Sequence, residues 1–350
     1  MPAPKRRSSR SRLLAALLAA VTGASLAQAG REAWRHETED LVREPTAPPA
    51  TLDVPPGASA DWIARQLAGH GFVRHPLVFR AFVHGRGVGQ SLRAGEYALD
   101  SSLSLAAVVD KMVRGDVVRR DITFPEGKNL AEAAKIVDAK KLDGAAFLRA
   151  AKDPSLICDL DPEAEDLEGY LFPDTYRLTK GMRGEEILVR MVQRFREKVA
   201  TPAILARARA RGLSLHELVT LASIIEKEAV LDHERRVIAG VFWNRLQRNM
   251  PLQADPTVAY AVGKDGRAPT RTDLQVDHPF NTYRYRGLPP GPIANPGLAS
   301  VEAALAPADV PYLFFVSIDD RQHHFSTTLE EHNRAVARYR ESRAPRAKRS

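Results

Sequence analysis

Two glutamates stand two residues apart in the apolar run "LASIIEKEAV", Leu221–Val230, and they are the residues here best placed for acid chemistry. If the run is helical, Leu218, Leu221, Ala222, Ile225 and Ala229 recur at spacings of three and four and define a buried stripe. Glu226 then borders that stripe, stacked against Ala222, Ser223, Ala229 and Val230. Glu228 is turned about 200° from it and faces water. A carboxyl beside small apolar side chains loses hydration, which favours its neutral form and suits it to protonate a glycosidic or acyl leaving group. An edge glutamate on an amphipathic helix ordinarily reaches out to water, so position alone does not decide the matter.

Polar groups that could line the same cleft come later in the chain. "MPLQADPTVAYAVG" places Gln253 and Asp255 ahead of a short helix, with Asp255 as its cap, Pro256 in its first position and Gly263 beyond its end. "HPFNTYRYRGLPPGPIANPG", His278–Gly297, is a loop of 20 residues rich in Pro, Gly, Asn and Tyr. Long ordered loops inside a compact domain are more often functional than accidental. Asn281, Tyr283 and Asn295 carry side chains suited to sugar hydroxyls and acetamido groups. Gln253, Asp255, Asn281, Tyr283 and Asn295 are therefore the candidate substrate-binding residues. Metal is not expected: there is no HExxH-type spacing, and His323 and His324 would point to opposite faces of a strand. The lone Cys158 excludes an internal disulfide and reads as a small buried hydrophobe.

The elements that must position these groups read as α+β. Residues 51–125 run strand, helix, helix, strand, with Ser59 ahead of "ADWIARQLAGHG" and "SLSLAAVVDKMVRG" as a helix stopped by Gly115. Residues 126–200 connect this module to residues 201–342, a mainly helical domain with short strands that holds the candidate site. Ser214 and Glu217 form a capping box that fixes where the helix bearing Glu226 begins.

The two tails, residues 1–12 and 338–350, each contribute +5 to a net charge of +8, so everything between nets −2 and a basic nucleic-acid face is excluded. Basic residues 1–12 precede the uncharged segment Leu13–Ala29, which at 1.5 Å per residue is a little short of the roughly 20 residues that span a bilayer yet within the tolerated range. Residues 13–30 thus read either as a cleaved signal or as a retained anchor, and in both cases the body of the chain is exported. Residues 31–50 form a charged, then proline-rich tether, and 343–350 a basic tail.

In order along the chain, "EGYLFPDTY", "ASIIEKEA", "VFWNRL", "MPLQADPTVAYAVG", "NTYRYRGLPPGPIANPG", "PYLFFV" and "HHFSTTLEEHN" closely resemble the endolytic murein transglycosylases, the YceG-like family, over roughly residues 50–340. The resemblance implies a single-pass inner-membrane protein with a LysM-like module and a catalytic domain in the periplasm. It further implies action without cofactor on peptidoglycan glycan strands, beside peptidoglycan synthases, ending the growth of nascent strands. The first glutamate of the family's "EKE" is catalytic, which falls on Glu226. It would protonate the oxygen between N-acetylmuramic acid and N-acetylglucosamine, then draw the proton from the muramyl 6-hydroxyl as that attacks C1, leaving a 1,6-anhydro end. Attack from within the sugar removes the need for a second carboxylate, which Glu228 cannot supply from the far side of the helix. The rival expectation is a cell-wall protein that binds peptidoglycan without turning it over.

Overall fold

The computed structural model describes residues 9–38, 50–100, 102–264, 266–318 and 322–343. Two compact units divide the chain, one of residues 1–120 with 179–181 and one of residues 121–178 with 182–350.

The first unit holds α1 (Ser9–Thr38), β1 (Ala50–Val54), α2 (Ala60–Gly69), α3 (Pro76–Gly85), β2 (Gly95–Leu99) and α4 (Leu105–Arg114). Strands β1 and β2 pair antiparallel with Leu52 opposite Tyr97. Alternation sends Leu52 and Val54 inward, onto Ile63, Leu67, Phe79 and Met112. Ser59 caps α2 through the Trp62 amide, and Gly115 ends α4 in the left-handed conformation, both as the sequence implies. Among the described residues no helix is long and apolar enough to cross a membrane. The segment read as signal or anchor, residues 13–30, falls within α1, which runs on through the charged residues 31–38. Residues 1–8, 39–49 and 344–350, where most of the tether and the basic tails fall, lie outside the described residues.

β3 (Arg119–Thr123) neighbours β4 (Thr175–Thr179) in a two-stranded sheet, with α5 (Leu130–Ala139) and α6 (Gly144–Ala150) between them in sequence. Beyond β4 come α7 (Gly184–Lys198), α8 (Pro202–Ala210), α9 (Leu215–Glu228), α10 (Asp232–Gln247), α11 (Asp255–Ala261), α12 (Leu298–Leu305), the antiparallel pair β5 (Phe314–Ser317) and β6 (His323–Ser326), and α13 (Leu329–Arg343). The architecture is α+β, with small sheets among many helices. One hydrophobic core runs from Ile122 to Leu305, so residues 126–200 pack into the same core as the later helices.

α9 is the axis of that core. Its capping box is complete: the Ser214 hydroxyl accepts from the Glu217 amide at 3.1 Å, and the Glu217 carboxylate accepts from the Ser214 amide at 2.8 Å. The expected one-sided stripe is not what forms. Every residue from Leu215 to Ile225 except Glu217 is buried, because α8, α10, α11 and α12 all pack against the helix. Of the polar residues this encloses, Ser223 is satisfied locally, its hydroxyl donating to the Thr220 carbonyl and accepting from the Ile293 amide, whereas the Thr220 hydroxyl has no partner among the described residues. Cys158 departs from its expected burial and is exposed, its thiol directed at the Ser155 carbonyl at the surface.

Candidate active site

Glu226 lies in the last turn of α9, where the helix emerges from its covering, and its side chain is 7% exposed. The two donors that meet it fall on one oxygen. Oε2 accepts from the Gly297 amide at 3.0 Å and from the Ser300 hydroxyl at 2.7 Å, both at the start of α12. Oε1 faces Nη2 of Arg235, on α10, at 3.8 Å, beyond hydrogen-bond reach. This division suits a carboxylic acid, in which one oxygen accepts and the other carries the proton. It suits the carboxylate equally, since the helix start and the guanidinium both favour negative charge.

Glu228 does not turn out to water. It is half-buried at the end of α9, because the segment after α10 and Arg245 fold over that end. Desolvation, reinforced by the charge of Asp255 and opposed by Arg245, pushes its carboxyl up to about 8.

Three of the candidate binding residues gather beside Glu228. Arg245 is buried and donates to the carbonyls of Pro251, Leu252 and Leu313 and, at 3.2 Å, to Oε1 of Gln253. Gln253 is exposed and holds a left-handed backbone with φ of 50°, its backbone amide donating to the Thr282 carbonyl. Asp255 is also exposed but does not cap α11. The cap position falls on Ala254, and the start of the helix is fixed instead by the hydroxyls of Thr257 and Thr282. The Asp255 carboxylate accepts from the Tyr283 hydroxyl at 2.6 Å. Burial of the ring, with the charge of Asp255 next, raises the phenol well above its ordinary value.

Asn281 and Asn295 sit elsewhere and do other work. Asn281 is buried, its side-chain amide donating to the carbonyls of Leu274 and Val276 and accepting from the Tyr283 amide, so it holds the loop in shape and offers nothing to a ligand. Asn295 is buried too. It accepts from the Leu171 amide at 2.9 Å and donates to the Lys128 carbonyl at 2.7 Å and to Glu168 at 3.3 Å, joining three distant segments. In the structure both amides are taken up by the backbone, as a long loop with no ladder of its own requires.

A second clamp lies under the same loop. His216 is buried, with Nδ1 at 2.9 Å from the Asp161 carboxylate and Nε2 at 2.6 Å from the Pro290 carbonyl. The hydrogen bond to Asp161 holds His216 towards its charged form, against desolvation. Tyr170 donates to the same carboxylate. His323 and Glu234 pair in the same manner, Nδ1 to carboxylate at 2.7 Å, tying β6 to α10. Among the described residues no three His, Cys, Asp or Glu side chains stand together as metal ligands.

Sequence reasoning missed Glu126, Arg235, Gly297 and Ser300. Glu126 lies just beyond β3, in "FPEGK", where its neighbours in sequence carry no acid–base pattern. Burial and then the charge of Glu226 raise its proton affinity above that of an ordinary glutamate. A second carboxyl thus lies near Glu226, which sequence reasoning did not foresee.

The family model that matches the chain, over residues 52–338, is that of the YceG-like family. An endolytic murein transglycosylase of Bacillus subtilis (strain 168) is 36% identical over 305 residues, which are 82% of this chain and 84% of the relative. The endolytic murein transglycosylase of Streptococcus pneumoniae serotype 2 (strain D39 / NCTC 7466) is 30% identical over 322 residues, 83% of this chain but 58% of the relative. The crystal structure of a YceG-like protein from Listeria monocytogenes superposes with a TM-score of 0.56 at 36% identity, covering 83% of this chain and 99% of that one.

Proposed function

The chain belongs to the YceG-like family, and on that premise we propose that Glu226 is the acid of a lytic transglycosylase that cuts peptidoglycan strands internally. The enzyme class is that of a peptidoglycan lytic transglycosylase, as its relatives are named. The bond cut is the β-1,4 link from N-acetylmuramic acid to N-acetylglucosamine. Glu226 gives its proton to the bridging oxygen, and the muramyl 6-hydroxyl attacks C1 in place of water, so a 1,6-anhydro end results and the nascent strand is terminated. Tyr283, Asp255 and Gln253 form the polar wall that the N-acetylated sugars meet. A peptidoglycan substrate calls for the catalytic unit to lie in the periplasm, and the Arg cluster ahead of Leu13 favours that orientation. We assign residues 51–125 to a LysM-like glycan-holding module on their strand–helix–helix–strand order.

The observation that carries this reading is the placement of both donors on Oε2 of Glu226, which leaves Oε1 to hold the transferable proton. A second reading rests on Glu228, whose carboxyl keeps its proton near neutrality and so could serve as the acid. Mass spectrometry of purified glycan strands after digestion separates the two. Under the proposal Glu226→Gln loses anhydro ends by about 10²–10⁴-fold while still binding glycan, and Glu228→Gln retains them. The opposite pattern makes Glu228 the acid, and reducing ends from the wild type refute the transglycosylase mechanism.

A further inference from the structure

Glu126 stands across a single glycine from Glu226. The turn that carries it is fastened on both sides: the Gly127 amide donates to the Asn295 carbonyl at 2.9 Å, the Asn295 amide donates to the Lys128 carbonyl at 3.0 Å, and Lys227 Nζ reaches the Gly127 carbonyl at 3.2 Å. Gly127 has φ of 73°, and a Cβ on it would lie 3.5 Å from Cγ of Glu226, so the turn packs directly on the stem of that glutamate.

Gly297 then sets the relation between the two carboxyls. Its amide donates to Oε2 of Glu226 at 3.0 Å, while a Cβ built on its Cα would lie 1.9 Å from Oε1 of Glu126. Taken through the glycine backbone, carboxyl oxygens of the two residues come within about 7.5 Å of each other. Acid–base and acid–nucleophile carboxyl pairs that act on glycosidic bonds are spaced by roughly 5–9.5 Å. Glu226 is nearly enclosed and bonded, whereas Glu126 is exposed, and among the described residues no hydrogen bond is made to its carboxyl. The charged groups around it are Glu226 from α9 and Arg235 and Asp232 from α10. Lys227 is turned to the Gly127 carbonyl and Lys128 is paired with Glu132.

We propose that Glu126 is a second catalytic carboxylate, the base that takes the proton of the muramyl 6-hydroxyl while Glu226 protonates the leaving oxygen. This deepens, and rests on, the 1,6-anhydro reading of the reaction. The C1–O bond to the leaving N-acetylglucosamine breaks as the C1–O6 bond forms. One proton passes from Glu226 to the leaving oxygen and one from O6 to Glu126. Return of that proton from Glu126 to Glu226 through solvent restores the resting pair, with no net redox change and no water consumed. The partial desolvation of its carboxyl against Gly297 and the like charge of Glu226, which raise the proton affinity of Glu126, make it a stronger base than a free glutamate.

The test uses the full chain on polymerised glycan strands, with wild type and Glu126→Gln compared for kcat, KM, the pH profile of kcat and the ends produced. The expected result is a fall in kcat of about 10²–10⁴-fold with little change in KM, loss of the acid-side limb of the pH profile, and unchanged thermal unfolding. A Glu126→Gln enzyme that keeps the wild-type kcat and acid limb, while wild type yields anhydro ends, overturns the role of Glu126 alone. Wild type that yields reducing ends overturns this inference together with the reading it rests on.

Discussion

Replacing Asn295 with alanine removes three hydrogen bonds at one buried point: from the Leu171 amide, to the Lys128 carbonyl and to Glu168. The Lys128 carbonyl keeps the Asn295 backbone amide as a partner, so it is not orphaned. The Leu171 amide loses the side-chain acceptor that it has in the wild type. A buried donor without a partner costs about 1–3 kcal/mol, and the two lost side-chain donations add about 1 kcal/mol each. The expected destabilisation is therefore about 3–5 kcal/mol. For a unit of this size each kcal/mol lowers Tm by about 2–4 °C, so Tm should fall by roughly 6–20 °C in calorimetry of the full chain. Activity below that Tm should fall as well, because the same side chain ties the turn of Glu126 to the loop that presents Gly297. A shift under about 2 °C would mean that water or a relaxed backbone replaces the amide, and the clamp assignment would then be wrong.

Two further predictions concern pH. Folding raises Glu228 from 4.5 to about 8, so between those values the folded chain holds a proton that the unfolded chain has lost, and stability falls as pH rises, by about 1.4 kcal/mol per unit. Glu228→Gln removes that decline, which thermal unfolding at pH 5 and pH 8 would show as a variant gaining on wild type with pH; parallel profiles would refute it. His216 is likewise raised, so its contribution is complete below its unfolded value near 6.5 and is lost as pH climbs through its folded value. The stability gap between wild type and His216→Asn should narrow from pH 6 to pH 9, and a gap that widens would show His216 to be neutral in the fold.

Local signals were the legible ones. The capping box at Ser214 and Glu217, the Ser59 cap and the Gly115 stop depend on residues three or four apart, and each formed as the sequence implies. Helix phase placed Glu226 at the margin of the core, but it misjudged Glu228. Phase assumes that one face of a helix is wet, whereas α9 is covered all round and its end is folded over by later chain. The asparagines of the loop were assigned to sugar on residue type alone. Whether an amide meets a ligand or the backbone depends on contacts such as Leu171 to Asn295, which no local pattern carries. Glu126 stayed hidden for the same reason, being 100 residues from Glu226 in sequence and brought beside it by the turn at Gly127 and by Gly297.

That glycine ties the choice of residue at 297 to the residue at 126. A side chain at 297 would occupy the space that the Glu126 carboxyl fills, while the backbone there, with φ of −75°, would tolerate one. The chain is therefore free to accept alanine or serine at 297 only in lineages where residue 126 is shorter or turned aside. The constraint runs one way: a shorter residue at 126 leaves glycine at 297 undisturbed, whereas a side chain at 297 moves the Glu126 carboxyl.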